Sequence, residues 1–188
     1  ADVDIPDLQL HHFLPNDCIY KLSGWRKAGG RGTDLLSKHT SLRAQTGIEH
    51  FRYSQWNVDS VYVGANLKQG KGFVELNSQN ELLDINACVD VEVDRKVTNA
   101  NFSMDLRKIN LYALKLTQAP LSASMVLHFD GETNLKDTHQ LKGAIQAMQL
   151  MMPDTTYHPV DLEVEAVMNP DTIFADAKAG DLVLKVSS

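Results

Sequence analysis

Leu83-Asp84-Ile85-Asn86-Ala87-Cys88-Val89-Asp90-Val91-Glu92-Val93-Asp94 alternates without interruption. Leu83, Ile85, Ala87, Val89, Val91 and Val93 share one parity, and every residue between them is polar, acidic or a cysteine. Successive side chains of an extended backbone point to opposite faces, so the segment predicts a β-strand with one apolar and one solvated side. A helical period of 3.6 cannot sort these residues into two faces.

The pattern recurs along the chain. Leu121, Ala123, Met125, Leu127 and Phe129 alternate with Ser122, Ser124, His128 and Asp130. Leu162, Val164, Ala166 and Met168 alternate with Asp161, Glu163 and Glu165. Upstream, Leu42, Ala44, Thr46 and Ile48 form one apolar parity, as do Val61, Val63, Ala65 and Leu67, then Ala100, Phe102, Met104 and Leu106. Gln69-Gly70-Lys71-Gly72 predicts a hairpin turn; Asn77–Glu81, Asn169-Pro170-Asp171 and Ala179-Gly180-Asp181 predict further turns. Leu141 to Met148 fits both helical and strand spacing. Gly143 and the surrounding strands favour a strand. About ten strands fit the length at ordinary strand and turn sizes.

Residues 1–40 are less regular. Pro6, Pro15, Gly24, Gly29, Gly30 and Gly32 break them into short strands and loops, with a helical turn predicted at Asp34–Lys38, capped by Thr33 or Asp34. The reading is therefore all-β with little helix: an irregular opening segment over residues 1–40 and a ladder of antiparallel strands over residues 41–188.

Bulk properties narrow the function. A chain of 188 residues is sized for one domain or two and buries enough surface to fold without disulfides or metals. A formal charge of −6 argues against nucleic acid and against electrostatic docking on anionic lipid. The densest basic group, Lys21, Arg26, Lys27 and Arg31, is loose and lies among glycines. Cys18 and Cys88 define no disulfide framework. No apolar run approaches the ~20 residues of a membrane-spanning helix, and no signal peptide is visible. Both ends of the chain fall in strand-like text, the expectation for a segment of a longer protein.

Near-motifs for chemistry fail on spacing or context. Gly64 to Gly72 looks like a phosphate loop but is one residue too long, has Gly72 after the lysine, and opens no helix. Ala28-Gly29-Gly30-Arg31-Gly32 reads as a mobile loop. His11 and His12 are adjacent and would face opposite sides of a strand, so no shared metal is expected. Asp130-Gly131-Glu132-Thr133-Asn134 lacks calcium-loop spacing and reads as a turn. Asp90, Glu92 and Asp94 recur every ~6.6 Å on one face, a separation compatible with a glycosidase pair. Nothing apolar surrounds them to raise one pKa, so they read as a solvated face. Trp25 and Trp56 read as isolated packing residues. With no nucleophile elbow and no Cys–His pair, the expectation is a non-catalytic protein without cofactor or metal.

Three stretches carry a family resemblance. Met104-Asp105-Leu106-Arg107-Lys108-Ile109-Asn110-Leu111-Tyr112-Ala113-Leu114-Lys115-Leu116 resembles the "Asp-Leu, short gap, Leu" phrase of the TamB branch of the AsmA-like proteins of diderm bacteria. Leu121 to Phe129 followed by Leu141-Lys142-Gly143-Ala144-Ile145 resembles its "strand, polar loop, Leu-x-Gly-x-Ile" phrase. Leu14-Pro15-Asn16-Asp17, Gly30-Arg31-Gly32-Thr33-Asp34 and Lys38-His39-Thr40 look like versions from gut-type anaerobes. The resemblance implies a periplasmic protein anchored in the inner membrane, with a taco-like β-groove, apolar inside and polar outside. It implies a partnership with a BamA-type outer-membrane barrel, made through parts this chain does not carry. The implied activity is phospholipid passage between membranes or support of outer-membrane protein assembly.

The expectation is an elongated, curled antiparallel sheet whose apolar parity holds phospholipid acyl chains. Its lipid-groove candidates are Ile85, Val89, Val91, Met125, Leu127, Val164 and Leu184. Ten strands at about 4.8 Å each would give roughly 45 Å of trough. The expected partners are acyl chains, the remainder of the same long chain and, through unpaired edges, a second copy. The alternative is a closed β-sandwich serving as a binding or spacer module. Alternation alone does not separate the two, because both bury one parity.

Overall fold

The structure, a computed structural model, describes residues 2–9, 21–32, 39–53, 56–94 and 97–187. Thirteen strands fold in chain order: β1 (Asp2–Gln9), β2 (Lys21–Arg31), β3 (Ser41–Tyr53), β4 (Trp56–Lys68), β5 (Lys71–Gln79), β6 (Leu83–Val93), β7 (Thr98–Asn110), β8 (Ser122–Thr133), β9 (His139–Met152), β10 (Thr155–Tyr157), β11 (Leu162–Asn169), β12 (Thr172–Ala179) and β13 (Leu182–Ser187). They form one antiparallel sheet in which each strand pairs with its sequence neighbour. The exception is β9, which pairs with β10 near its end and with β11 along its first half. Among the described residues β1 and β13 are the two edges and do not pair, so the sheet stays open. No helix of the described residues is long and apolar enough to cross a membrane.

Close strand packing runs between hydrogen-bonded neighbours, and no second sheet lies across the apolar face among the described residues. The apolar parity is nevertheless partly enclosed: Ile85 is 7%, Leu106 6% and Ala123 3% exposed. In a flat single layer these side chains would stand in water. Their burial requires the sheet to twist and curl until same-face neighbours close over them. Ile85, Ala87 and Leu106 form the centre, packed by Leu76, Leu83, Phe102, Met104, Ile109 and Met125. Burying a side chain of this size stabilises by about 1.5–3 kcal/mol.

Turns set the registers. The β4–β5 hairpin closes through Gln69 and Gly70, both at positive φ (57° and 79°), the conformation of a two-residue turn whose twist suits antiparallel strands. The phosphate-loop lookalike is thus a hairpin. Leu141–Met148 lies wholly within β9. A register shift there leaves Ala147 at φ 49°, its N–H held by Asp161 Oδ1 at 3.0 Å.

Two expectations are corrected. Ala28–Arg31 is the end of β2, paired to Ser41–Ala44, and is not a loop. A Cβ on Gly30 would lie 2.6 Å from Ser41 O, so the glycine permits a close strand approach. Asp130–Thr133 belongs to β8, and the turn begins at Asn134, whose side-chain oxygen accepts from the N–H groups of Lys136, Asp137 and Thr138. The Asn134 amide also holds the Asp137 carboxyl below its usual range. The opening segment contributes two strands of 8 and 11 residues to the same sheet. His11, His12, Cys18 and the turn expected at Asp34–Lys38 lie outside the described residues.

The β5–β6 turn is organised by Asn80. Its Nδ2 donates to Asp59 O and Ser78 Oγ, both at 2.9 Å, and its Oδ1 accepts from the N–H groups of Leu82 and Leu83. Ser78 is fully buried on the apolar face and donates to Leu83 O. Asn80→Ala removes all four bonds and should destabilise the chain by about 2–3 kcal/mol, given ~1 kcal/mol net per bond and partial rehydration. Urea unfolding measures this directly, and a midpoint indistinguishable from wild type would refute the assigned role of the turn.

Candidate functional site

Directly opposed residues of antiparallel strands lie on the same face, so the registers trace that face across the sheet. One cross-strand row reads Ala28, Ala44, Ala65, Val74, Val89, Phe102, Phe129, Gly143, Val164, Ala177, Leu184. The row beside it passes from Thr46 through Val63, Leu76, Ala87, Met104, Leu127, Ile145, Leu162 and Ala179 to Leu182. On the other flank, Leu42, Leu67, Gly72, Val91, Ala100, Gly131, Leu141, Ala166, Ala175 and Val186 continue the belt.

All seven candidates lie on this belt. Val89, Val164 and Leu184 share its first row, Leu127 stands in the second and Val91 in the third. Ile85 faces Leu106, which faces Met125, at the enclosed end. Enclosure fades toward the last strand: Leu182, Leu184 and Val186 are 72%, 63% and 53% exposed. The belt is thus sheltered across its middle strands and open at β13.

Phe129 and Gly143 form a joint that the sequence did not disclose as one. They are directly opposed, and a Cβ on Gly143 would collide with Phe129 Cδ1 and lie 2.5 Å from His128 O. The ring therefore occupies the place of the missing side chain and keeps the belt continuous over a glycine, a known device for supporting glycine in sheets.

The opposite face is polar and knitted by exposed pairs: Lys71–Glu92 at 3.2 Å, Lys185–Asp176 at 3.3 Å and His128–Asp130 at 3.2 Å. Arg107 donates to Asp84 through Nε and Nη2 and to Asp105 through Nη1. The Asp84 hydrogen bond is the main cause that raises the guanidinium pKa further. Such pairs contribute little to stability but keep the face wet. Open hollows of about 600 and 530 Å³ lie on this side, lined by Asp90, Glu92, Asn101, Asp130 and Lys142 in the first and by Glu163, Glu165, Asp176 and Lys178 in the second. Asp90 and Glu92 lie on this exposed face; neither is enclosed by apolar groups. Cys88 is a free thiol here, 3.0 Å from Ser103 Oγ.

Trp25 is packed, but on the polar side. Its ring stands 6.2 Å from that of Tyr62, with Lys27 Nζ 5.6 Å from the Trp25 ring centroid. A Cβ on Gly47 would lie 2.5 Å from Trp25 Nε1, so the indole covers that glycine. The pairing of Trp25 with Gly47 follows from the β2–β3 register, which the sequence did not disclose.

The fold and its faces define an all-β chain built as one open, curled sheet with a continuous apolar belt on one side and a charged surface on the other. No family model, no curated protein and no solved structure matches it.

Proposed function

We propose that the apolar belt accommodates lipid acyl chains, and that the chain is a segment of a periplasmic, bridge-like protein of the TamB type through which phospholipid moves between inner and outer membranes. The observation that carries this reading is the belt itself: it runs across β3 to β13 without a charged side chain, and no second sheet covers it among the described residues. A closed sandwich needs that second layer. Each buried methylene contributes ~0.8 kcal/mol, so an acyl chain on the belt is held by several kcal/mol. Because neighbouring rows are chemically alike, that gain changes little from row to row, and a chain can slide without a deep trap. The head group stays toward water at the open side. The proposed partners are phospholipid, the remainder of a longer chain and a BamA-type barrel reached through it, with no catalytic step.

The test is photo-crosslinking in the intact protein in its envelope, with the probe at Val89 and, separately, at Asp90. These neighbours face opposite sides of β6. Lipid captured at Val89 alone is the expected result. Capture at neither position would refute the lipid reading, and equal capture at both would refute the assignment of the faces.

A further inference from the structure

Among the described residues of β2 to β13, the regular part of the apolar face carries one fully charged side chain, Arg26. It sits in register between Val3 of β1 and Thr46 of β3, with Gly24 and Ala28 before and after it on the same parity. Its neighbours Trp25 and Lys27 belong to the other face, as their packing with Tyr62 and with each other shows. Arg26 is exposed, and Thr46 does not engage it: the Thr46 hydroxyl donates to Trp25 O at 3.1 Å. Among the described residues no hydrogen bond or ion pair holds Arg26, whereas Arg107 on the polar face is gripped by two carboxylates. A charged residue on a face that is otherwise aliphatic, aromatic, small or neutral is costly to keep beside hydrocarbon unless it has a task.

We propose that Arg26 receives the phosphate of a glycerophospholipid whose tail lies on the belt, an assignment that rests on the lipid reading above. The complementarity is of charge and layout. A phospholipid carries one anionic phosphate beside apolar tails, and among the described residues of β2 to β13 this face carries one cation, on β2, one strand in from the β1 edge. The guanidinium is planar and presents a fork that matches two phosphate oxygens, which a lysine does not. From Arg26 the row passes Thr46 and then only apolar residues, Val63, Leu76 and Ala87, across four strand spacings, ~19 Å. A phosphate at Arg26 thus leaves its tail on the row that leads to the enclosed centre, and β2, one strand in from the β1 edge, becomes the place where head groups are read.

The experiment loads the whole chain, with a photo-reactive probe at Val89, from vesicles holding either phosphatidylglycerol or diacylglycerol with the same tails. Wild type should capture the phospholipid about tenfold better, the fold-change expected of one charge-assisted contact. Arg26→Gln should erase that preference while leaving diacylglycerol capture and the thermal midpoint unchanged, and Arg26→Lys should retain part of it. Equal capture of both lipids by wild type, or a preference that survives Arg26→Gln, overturns the Arg26 assignment and leaves the lipid reading standing. Loss of both lipids in Arg26→Gln at an unchanged midpoint overturns it too. Displacement of the lipid by millimolar inorganic phosphate would identify a simple anion site and overturn it as well. Capture of neither lipid by wild type is the failure of the lipid reading itself.

Discussion

Leu127→Asp is expected to abolish lipid capture on the apolar belt, with at least a tenfold fall in crosslinking at Val89 in the intact protein. Leu127 stands in β8 between Met104 and Ile145, in the middle of the sheltered strands. A carboxylate there has no cationic neighbour on its face, and hydrocarbon passing over it would strip its water. On the proposed lipid path a chain would slide at nearly constant free energy where the belt is uninterrupted, and one unpaired charge would insert a barrier of several kcal/mol. The substitution also forfeits the burial of leucine, about 2 kcal/mol of stability. The matched control is Val126→Lys, one residue away on the polar face and directly opposite Asp105. It should leave capture and folding intact. Full capture by Leu127→Asp, or equal loss in Val126→Lys, would remove the belt as the lipid path. Val89→Asp, one row away, should behave like Leu127→Asp.

The second large effect is structural. Gly143→Val should destabilise the sheet by about 3 kcal/mol, the upper end of overpacking costs, because the new side chain meets both the Phe129 ring and the carbonyl of His128. The ring can turn aside, but the carbonyl belongs to the β8 backbone. Phe129→Leu should therefore rescue Gly143→Val only in part, and the double-mutant coupling should be about 1–2 kcal/mol. Gly143→Ala is the finer probe. In a helix it would stabilise by about 1 kcal/mol, whereas in this strand it must destabilise. Denaturant midpoints of the single and double variants measure all three, and a stabilised Gly143→Ala would contradict the β9 assignment.

The same position illustrates how far the sequence can be read. Gly143 argues against a helix at Leu141–Met148, which the structure bears out as β9. Its pairing with Phe129 was invisible, because the two are joined only once β8 and β9 take their register. The bulge at Ala147 shows the same limit: a register shift is a property of two strands together, and no alternation in one of them announces it. Glycine also silences the parity signal. Gly24, Gly29 and Gly30 carry no side chain to reveal a face, so the end of β2 at Ala28–Arg31 read as a loop, and Arg26 looked like a member of a scattered basic group.

What the sequence determined by itself is the all-β class, the apolar and polar parities of the strands from Ser41 onward, and the membership of all seven belt candidates on the apolar side. These follow from the two-residue period of extended backbone, a local property that needs no partner strand. Tertiary structure decided what the parities add up to: one open sheet with no second layer among the described residues, rows that stay apolar from strand to strand, a ring standing in for a missing side chain, and a cation on β2, one strand in from the β1 edge. Those depend on register and curl, set by turns such as Gln69–Gly70 and Asn80 acting on strands that meet only when the chain folds.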